Sequence, residues 1–456
     1  MMNISFFSDL LSTITERGRS LIEPLREIRP QGEQQTAAIV EMSEALLSRR
    51  GEASGVAIAS RILETYASLT VGPRIAFFEA LATRFGCDAP RISAAMETYQ
   101  ANPNERTAQE LHVAAEPRRQ ELFRRLNLAP AGTRSLVAMR EDLLAALSRR
   151  PDLAVVDADL KHLFSSWFNR GFLVVRRIDW TTSAHILEKI IRYEAVHEIR
   201  DWDDLRRRLE PSDRRCFAFF HPALNDEPLI FVEIALAQEI PAAIEPLLAA
   251  DRMPLAAAQT TTAVFYSISN CQKGLQGISF GNFLIKQVAE ELKRELPGLD
   301  TFVTLSPVPG FSSWLERHLA QENPAGLTPE QQDILRNSAD PDWVLDPERV
   351  QAVNRALLPA AACYFLHAKK SDGKPIDPVA RFHLGNGARL ERLNPGGDLS
   401  PKGLRQSRSL MVNYLYDLDR IEQNHEAYAN HGTVTASASV KRALRADPGR
   451  ALAPAH

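Results

Sequence analysis

Apolar residues recur at three- and four-residue spacing through most of the chain between residues 34 and 169, without strand-like alternation. This spacing puts the apolar side chains on one face of a helix, so the region is predicted to be a series of consecutive helices. Polar or glycine-bearing breaks separate them, and the last helix is predicted to end at Gly171. Because no cluster of reactive side chains accompanies the pattern, a packing or oligomerisation role is preferred to a catalytic one.

Two arginine pairs occur within these predicted helices, Arg118-Arg119 and Arg124-Arg125, with glutamates beside them. Opposite charges three or four residues apart meet on the surface of a helix. A solvated helix face is therefore preferred to an anion-binding site for both pairs.

The pattern changes at about Gly171, where short apolar, β-branched and aromatic runs begin to alternate with amphipathic segments. Strands are predicted for FLVVRRIDW, CFAFFHPA and PLIFVEIAL, and helices for TSAHILEKIIRYEAVHEI and WDDLRRRL. Such alternation is typical of an α/β or α+β domain with a mixed sheet. The sequence thus predicts a helical N-terminal domain over residues 1–170, an α/β domain over 171–446 and a Pro/Ala-rich, disordered tail over 447–456.

The last third of the chain mixes both kinds of segment. Polar helices are predicted over 321–350, where TPE at 328–330 and DPE at 346–348 are helix-start patterns. These helices are interpreted as an insertion. Its role could be that of a lid, of a subunit contact or of filler, and the sequence does not choose among them. The segments LLPAAACYFLHA and FHLGNGARLERLN are predicted strands, the second with a turn or bulge at 385–387, and RSLMVNYLYDLDRIEQN is predicted to be helical.

The most distinctive stretch spans residues 263–315. An apolar, β-branched run at 263–268 predicts a strand, which a polar loop connects to a helix that opens at about Gly281 and ends at Leu296-Pro297-Gly298. A second apolar run at 302–305 predicts the next strand. One face of the predicted helix is apolar and is expected to be buried. Its residues are Leu284, Ile285, Val288, Ala289, Leu292 and Leu296.

The loop in this stretch has the features of an anion site. Gly274, Gly277 and Gly281 permit positive φ angles and close approach of the backbone to a ligand. The unpaired N–H groups at the start of the helix and the positive end of its dipole attract a phosphate. Ser306 follows the second strand, and ligands of open sheets collect at the carboxyl ends of such strands.

Composition narrows the class of protein. A chain of 456 residues favours two domains, and a net charge of −3 gives no case for a nucleic-acid or anionic-membrane partner. The four cysteines are scattered, so neither a disulfide framework nor a zinc cluster is expected. No apolar run reaches the roughly 18 residues that a membrane helix needs. The N-terminal segment lacks the features of a secretory signal, and a cytoplasmic location is expected.

The string QGISFG, which runs from Gln276 to Gly281, resembles the pyrophosphate loop of the GNAT acyltransferases, approximately Gln/Arg-x-x-Gly-x-Gly/Ala. Ser279 stands where that pattern has its first glycine. The strings FYSIS, KGLQGISFGNFLIK, LSPVPGFSSWL, DPVARFHLGNGARL and LMVNYLY, in this order, resemble the malonyl-CoA decarboxylase family. The resemblance extends from about Trp167 to Tyr416, and more faintly into the helical region.

The resemblance implies a GNAT-like catalytic domain and a carboxy-lyase that converts malonyl-CoA to acetyl-CoA and CO2. Ser306 would orient the malonyl group, and His383 would donate a proton to C2. Neither a metal nor another cofactor would be required, and a homo-oligomer is expected. Asn413 and Tyr416 are lesser candidates, either as polar groups of the pocket or as part of a buried helix face. The residues expected to bind the CoA pyrophosphate are Gln276, Gly277, Ile278, Ser279, Phe280, Gly281 and Asn282.

Two other functions stay open for the same fold, because fold alone does not determine chemistry. One is an N-acyltransferase that passes the acyl group of CoA to an amine. The other is an acyl-CoA sensor without catalytic activity, in which the helical domain acts as the effector. Turnover of malonyl-CoA without an amine acceptor distinguishes the three.

Overall fold

The computed structural model describes residues 32–48, 52–278, 284–322 and 324–444. The chain divides into two compact units. The first comprises Met1–Leu173 together with two later segments, His221–Asn225 and Gln272–Phe280. The second comprises the remainder, from Val174 onward. The predicted disordered tail lies outside the described residues.

The first unit is helical, as the apolar periodicity predicts. Its core contains Phe77, Phe78, Phe123 and Phe164, whose side chains are inaccessible to solvent. Its helices are α1 (Gly32–Leu47), α2 (Glu52–Ser68), α3 (Val71–Thr83), α4 (Ala89–Ala101), α5 (Glu105–Ala115), α6 (Arg118–Asn127), α7 (Gly132–Ala146) and α8 (Ala154–Trp167).

One arginine of the two pairs differs from its predicted position. Arg118, Arg124 and Arg125 form ion pairs with glutamates at partly exposed positions. Arg119 is instead buried, and its guanidinium pairs with the carboxylate of Asp159 on α8. The prediction of a solvated face is therefore wrong for Arg119, because the face of α6 that carries it packs in the core beside Leu122 and Phe123.

The second unit combines an eight-stranded mixed sheet with helices. Its elements are β1 (Val174–Ile178), α9 (Ala184–Tyr193), α10 (Trp202–Leu209), β2 (Arg214–Phe220), β3 (Pro228–Ala237), α11 (Glu245–Leu248), β4 (Thr262–Asn270), α12 (Leu284–Glu295), β5 (Thr301–Thr304), β6 (Ser306–Pro307), α13 (Phe311–Leu319), α14 (Pro329–Asn337), α15 (Pro347–Leu366), α16 (Pro378–Gly385), β7 (Arg389–Asn394), α17 (Pro401–Ser407), β8 (Met411–Leu415), α18 (Ile421–His431) and α19 (Ala438–Leu444). The prediction of a helical region followed by an α+β domain with a mixed sheet is confirmed.

The strands lie in the order β1-β2-β3-β4-β5-β8-β6, and β7 also pairs with β8. Among the described strands, only β4 and β5 pair in parallel, and α12 lies between them in the chain. This pair confirms the predicted strand, helix and strand of the central stretch. The predicted apolar face of α12 is buried at Leu284, Ile285, Val288, Ala289 and Leu292.

Three predicted elements of the last third differ in type. The segment predicted as a strand around residues 357–368 lies in the helix α15, which is buried on nearly all sides there. His383, predicted in a strand, lies in the helix α16, and only residues 389–394 form the strand β7. The segment predicted as a helix around residues 409–416 is the strand β8. Burial on both faces removes the periodicity that separates a helix from a strand.

Candidate active site

Ser306 is held at a junction of three strands. It follows β5 by two residues and begins the short strand β6, where it pairs with Val412 of β8. The side chain is buried, with the residue 5% exposed. Two residues earlier, Thr304 is fully buried and its hydroxyl accepts a hydrogen bond from the backbone N–H of Tyr414 at 3.1 Å. The strand pairing therefore fixes the backbone on which both hydroxyls are carried.

His383 is positioned by the helix α16. Asp377 caps this helix by accepting a hydrogen bond from the Ala380 N–H at 2.7 Å, and it also accepts one from the hydroxyl of Tyr364 at 3.1 Å. Pro378 occupies the first helical position, where its missing N–H costs nothing. Burial raises the pKa of Asp377 to about 6. The cap fixes the start of the helix, and His383 lies in its last turn.

The structure brings Ser306 and His383 together. The Ser306 Oγ lies 3.2 Å from the His383 Nε2, and the His383 Nδ1 lies 2.8 Å from the hydroxyl oxygen of Tyr416. Ser306 donates its own proton to the Thr304 Oγ1 at 2.9 Å. We call these four residues the hydroxyl chain.

The direction of the hydroxyl chain determines the tautomer of the neutral imidazole. Because the Ser306 proton goes to Thr304, the Ser306 oxygen accepts from His383, and Nε2 carries the hydrogen. Nδ1 then accepts a hydrogen bond from Tyr416. Burial lowers the pKa of His383 to about 3. The ring also stacks on Tyr414, with 4.5 Å between ring centroids and 25° between planes. In the absence of a ligand the imidazole is therefore neutral at pH 7.

The two lesser candidates, Asn413 and Tyr416, lie on or just after β8 rather than on a helix face. Tyr416 is a direct partner of His383. Asn413 forms no hydrogen bond with His383 or Ser306 among the described residues; its amide donates to the Thr304 carbonyl oxygen at 2.8 Å and accepts from Asn394 at 2.8 Å. Sequence reasoning missed Thr304 and Tyr414. The two-residue spacing of Tyr414 and Tyr416, next to an apolar run, is only a weak pattern from which to find them.

A cavity of about 250 Å³ opens on the Ser306–His383 pair. Most of its lining is apolar, and the polar atoms beside the pair come from few residues. The lining residues are Val196, Phe265, Tyr266, Ile268, Asn270, Ser306, Pro307, Pro378, Val379, Phe382 and His383. An apolar pocket with a few converging polar groups is the usual form of a small-molecule site.

The predicted phosphate loop is described only in part. Gln276, Gly277 and Ile278 belong to the first unit, and Gly277 has a φ angle of +76°, which favours glycine. A Cβ on Gly274 would lie 1.9 Å from the backbone oxygen of Val137, so only glycine fits there. Ser279, Phe280, Gly281 and Asn282 lie outside the described residues. The loop therefore packs on the helical unit, which the sequence pattern alone did not indicate.

A second polar cluster is buried in the same unit as the hydroxyl chain. Arg208 of α10 forms ion pairs with Glu233 of β3 at 3.1 Å and with Asp204 at 3.4 Å. All three side chains are at least nine-tenths buried. Burial raises the pKa of Glu233 to about 7, and the nearby carboxylate of Glu194 acts in the same direction. We call Asp204, Arg208 and Glu233 the ionic cluster.

Two kinds of feature are absent from the described part of the chain. Within residues 32–48, 52–278, 284–322 and 324–444, no three His, Cys, Asp or Glu side chains come together as metal ligands would. No helix of these ranges is both long and apolar enough to cross a membrane.

Comparison with known proteins gives consistent matches. The family model of the malonyl-CoA decarboxylase C-terminal domain matches residues 171–453, and that of the N-terminal domain matches residues 85–168. The mitochondrial malonyl-CoA decarboxylase of Anser anser anser is 37% identical over 409 residues, which cover 82% of this chain and 81% of that protein. The corresponding Mus musculus protein is 36% identical, with 72% of each chain covered.

A solved structure supports the same family. The crystal structure of malonyl-CoA decarboxylase from Rhodopseudomonas palustris has 57% sequence identity and a TM-score of 0.87, and the match covers 89% of this chain and 99% of that one. These likenesses define the class of the protein: it is a carboxy-lyase, an enzyme that removes a carboxyl group from its substrate. The chain belongs to the malonyl-CoA decarboxylase family. A homo-oligomeric state and a cytoplasmic location stay predictions.

Proposed function

We propose that this protein decarboxylates malonyl-CoA to acetyl-CoA and CO2, with Ser306 and His383 as its catalytic residues. The observation that carries the proposal is the contact of 3.2 Å between these two side chains at the wall of an apolar cavity. The names of the related proteins support the substrate, since each is a malonyl-CoA decarboxylase.

The chemistry begins with cleavage of the bond between C2 and the carboxylate carbon. CO2 departs, and the electron pair of that bond moves into the thioester, which becomes an enolate with negative charge on the thioester oxygen. The thioester is thus its own electron sink, and the scheme uses no cofactor. An enzyme accelerates this step by holding the breaking bond perpendicular to the thioester plane and by stabilising the developing oxyanion.

His383 then gives C2 its proton from Nε2. In the free protein the imidazole is neutral because its hydrogen-bond partners, Ser306 and Tyr416, are uncharged and its site is buried. A malonyl carboxylate in the cavity brings a negative charge to the imidazole, which favours the charged form and raises the pKa of His383. The imidazolium transfers its proton to the enolate and returns to the neutral form. Each turnover consumes one proton from water.

Ser306 orients the malonyl group. Its proton points to Thr304 in the free protein, and rotation of the hydroxyl lets Ser306 donate to the carboxylate or to the thioester oxygen of the substrate. A hydrogen bond to a charged oxygen is stronger than the one to Thr304 that it replaces. The loop that contains Gly277 binds the CoA pyrophosphate through the Gly277 N–H, since the N–H groups of Gln276 and Ile278 already donate to the carbonyl oxygens of Lys273 and Leu275.

The test is incubation of the purified protein with malonyl-CoA in the absence of any amine, with CO2 and acetyl-CoA followed together. Ser306→Ala and His383→Ala are compared with the unaltered protein. Acetyl-CoA formation that falls by about 10²–10⁴-fold in both variants supports the proposal. Two matched controls, Ser313→Ala and His112→Ala, change exposed side chains and leave the rate near that of the unaltered protein.

Other results reject the proposal in distinguishable ways. Turnover that starts only when an amine is added identifies an N-acyltransferase. Binding of malonyl-CoA without any turnover identifies an acyl-CoA sensor. Decarboxylation that survives in both variants would leave the substrate assignment standing and remove Ser306 and His383 from the mechanism.

A further inference from the structure

One lysine of the helical unit lies beside the phosphate loop. The Nζ of Lys161, on α8, is 4.0 Å from the position that a Cβ would take on Gly277, and no other described atom beyond the chain neighbours of Gly277 lies within 4 Å of that position. Lys161 is also the only lysine among the first 173 residues, where every other basic side chain except histidine is an arginine. Both residues belong to the first unit.

The loop at this point is held by a buried arginine. The Nη1 of Arg140 donates to the carbonyl oxygens of Gly274 at 2.7 Å and Gln276 at 3.0 Å, and its Nε donates to Asp157 at 2.7 Å. Arg140 is 2% exposed, and the carboxylate of Asp157 balances its charge. The loop backbone is therefore fixed before any ligand arrives.

The orientation of the Gln276 carbonyl determines that of the next N–H. In a trans peptide the C=O and N–H vectors are antiparallel, so the N–H of Gly277 points away from Arg140. Gly277 is exposed, and among the described residues this N–H donates no hydrogen bond. An unused donor on the side of the loop that faces away from Arg140 is available to a ligand oxygen.

The ammonium of Lys161 is also available to a ligand oxygen. No acidic side chain of the described residues forms an ion pair with it, whereas nearly every arginine of α6 and α7 is paired. An unpaired cation beside an unused N–H and a positive-φ glycine has the chemistry of a phosphate site, in which lysine acts as a point charge.

We infer that Lys161 binds the pyrophosphate of CoA, together with the N–H of Gly277. The inference rests on the proposed function, because it takes the CoA thioester as the ligand. It gives a ligand-binding role to a residue of the helical unit, for which the sequence pattern indicates packing or oligomerisation alone. The ammonium would lower the KM for CoA thioesters and act far less on the chemical step.

The test compares Lys161→Gln with the unaltered protein on two substrates, malonyl-CoA and malonyl-pantetheine, which carries the same thioester without phosphates. We expect the KM for malonyl-CoA to rise about five- to tenfold, with a much smaller change in kcat. The KM for malonyl-pantetheine is expected to be the same in both proteins. The dependence of the malonyl-CoA KM on salt should also weaken, since one screened charge contact is lost.

Three controls make the result specific. Lys161→Arg keeps the charge and should recover most of the affinity. Arg106→Gln removes an exposed charge from another helix of the same unit and should leave the KM unchanged. Malonyl-dephospho-CoA lacks the 3′-phosphate, and the effect of Lys161→Gln should persist with it; loss of the effect there would overturn the assignment to the pyrophosphate.

Failure of this inference and failure of the proposed function give different results. If Lys161→Gln raises the KM equally for malonyl-CoA and malonyl-pantetheine, or for neither, Lys161 does not bind phosphate, and the Ser306–His383 chemistry is untouched. If the unaltered protein turns over neither substrate, the proposed function itself is wrong.

Discussion

The hydroxyl chain and the ionic cluster are both buried in the second unit, but the ionic cluster contains paired charges and the hydroxyl chain is neutral. In the ionic cluster, Arg208 compensates the carboxylates of Asp204 and Glu233 within the protein itself. In the hydroxyl chain, His383 has hydroxyl partners, and burial lowers its pKa to about 3. The first arrangement carries its own counter-charge, whereas the second becomes charged only when a ligand supplies the opposite charge.

This difference separates a structural network from a catalytic one. A buried ion pair contributes little net stability, but removal of one partner leaves an uncompensated charge that is costly. A neutral, fully hydrogen-bonded imidazole costs little to bury, and its protonation can be coupled to substrate binding. We therefore expect changes in the hydroxyl chain to alter turnover and changes in the ionic cluster to alter stability.

The largest effect is expected for His383→Gln, which keeps hydrogen-bonding capacity and removes the proton donor. We predict that kcat for malonyl-CoA falls by about 10²–10⁴-fold, as for loss of a general acid, and that the protein stays folded. Steady-state kinetics and circular dichroism measure the two quantities. A variant that retains near-normal kcat would remove His383 from the catalytic pair.

Arg208→Met tests the ionic cluster, where we expect a loss of stability rather than of activity. It leaves Glu233 buried without a counter-charge, whereas Asp204 keeps its ion pair with Arg207, and the free energy of unfolding should fall by about 3–5 kcal/mol. The activity per folded molecule should be retained, because Arg208 makes no described contact with the hydroxyl chain. Denaturant titration followed by kinetics on the folded fraction checks both points. The exposed Arg192→Met is the control and should change stability by less than about 0.5 kcal/mol.

A smaller effect is expected for Tyr416→Phe, which removes the hydrogen bond of 2.8 Å to the His383 Nδ1. Loss of one such bond costs about 1 kcal/mol, so kcat should fall by roughly fivefold while KM changes little. The pH dependence of kcat should also shift, because the neutral imidazole loses the hydrogen bond that its Nδ1 accepts. Tyr428→Phe is the matched control, since its buried hydroxyl has no partner among the described residues. Equal rates for the two variants would contradict a positioning role for Tyr416.

The smallest effect concerns stability as a function of pH. The pKa of His383 is about 3 in the folded protein against 6.5 for an unburied histidine. Between these values the unfolded chain binds a proton that the folded protein does not, so stability falls as the pH falls below about 6.5. His383 alone should lower the free energy of unfolding by about 1 kcal/mol between pH 6 and pH 5.

His383→Gln should therefore lose stability less steeply than the unaltered protein over that interval. The free energy of unfolding at pH 6 and at pH 5, from denaturant titration of both proteins, gives the two slopes. Parallel slopes would mean that the imidazole is not neutral in the folded state, which would contradict the directed hydroxyl chain.

Much of the fold follows from local patterns. The helices of the first unit and the amphipathic α12 each place apolar residues on one face, and that periodicity is visible in the sequence. Helix-start patterns at Thr328 and Asp346 were equally informative, since both side chains cap the helices that follow. Of the three elements that were assigned wrongly, α15 and β8 are buried on several sides, so their apolar runs carry no period.

The contacts of the site were harder to predict than its two principal residues. Ser306 and His383 were found through the family resemblance, and their contact spans 77 residues of sequence. Thr304 and Tyr414 reach the site through strand pairing and ring stacking, which no local pattern encodes. Lys161 is an ordinary exposed lysine in the sequence, and only the packing of the loop on the helical unit gives it significance.

The most direct test of the account is the proton uptake that accompanies substrate binding. Ser306→Ala, in which turnover is slow, is mixed with malonyl-CoA in weakly buffered solution at pH 7.5 containing a pH indicator, and absorbance is followed before acetyl-CoA forms. A neutral His383 that becomes charged beside the malonyl carboxylate predicts uptake of about one proton per site, and none with acetyl-CoA, which lacks the carboxylate. Equal uptake with both ligands, or no uptake with either, would contradict the claim that the substrate's charge protonates His383.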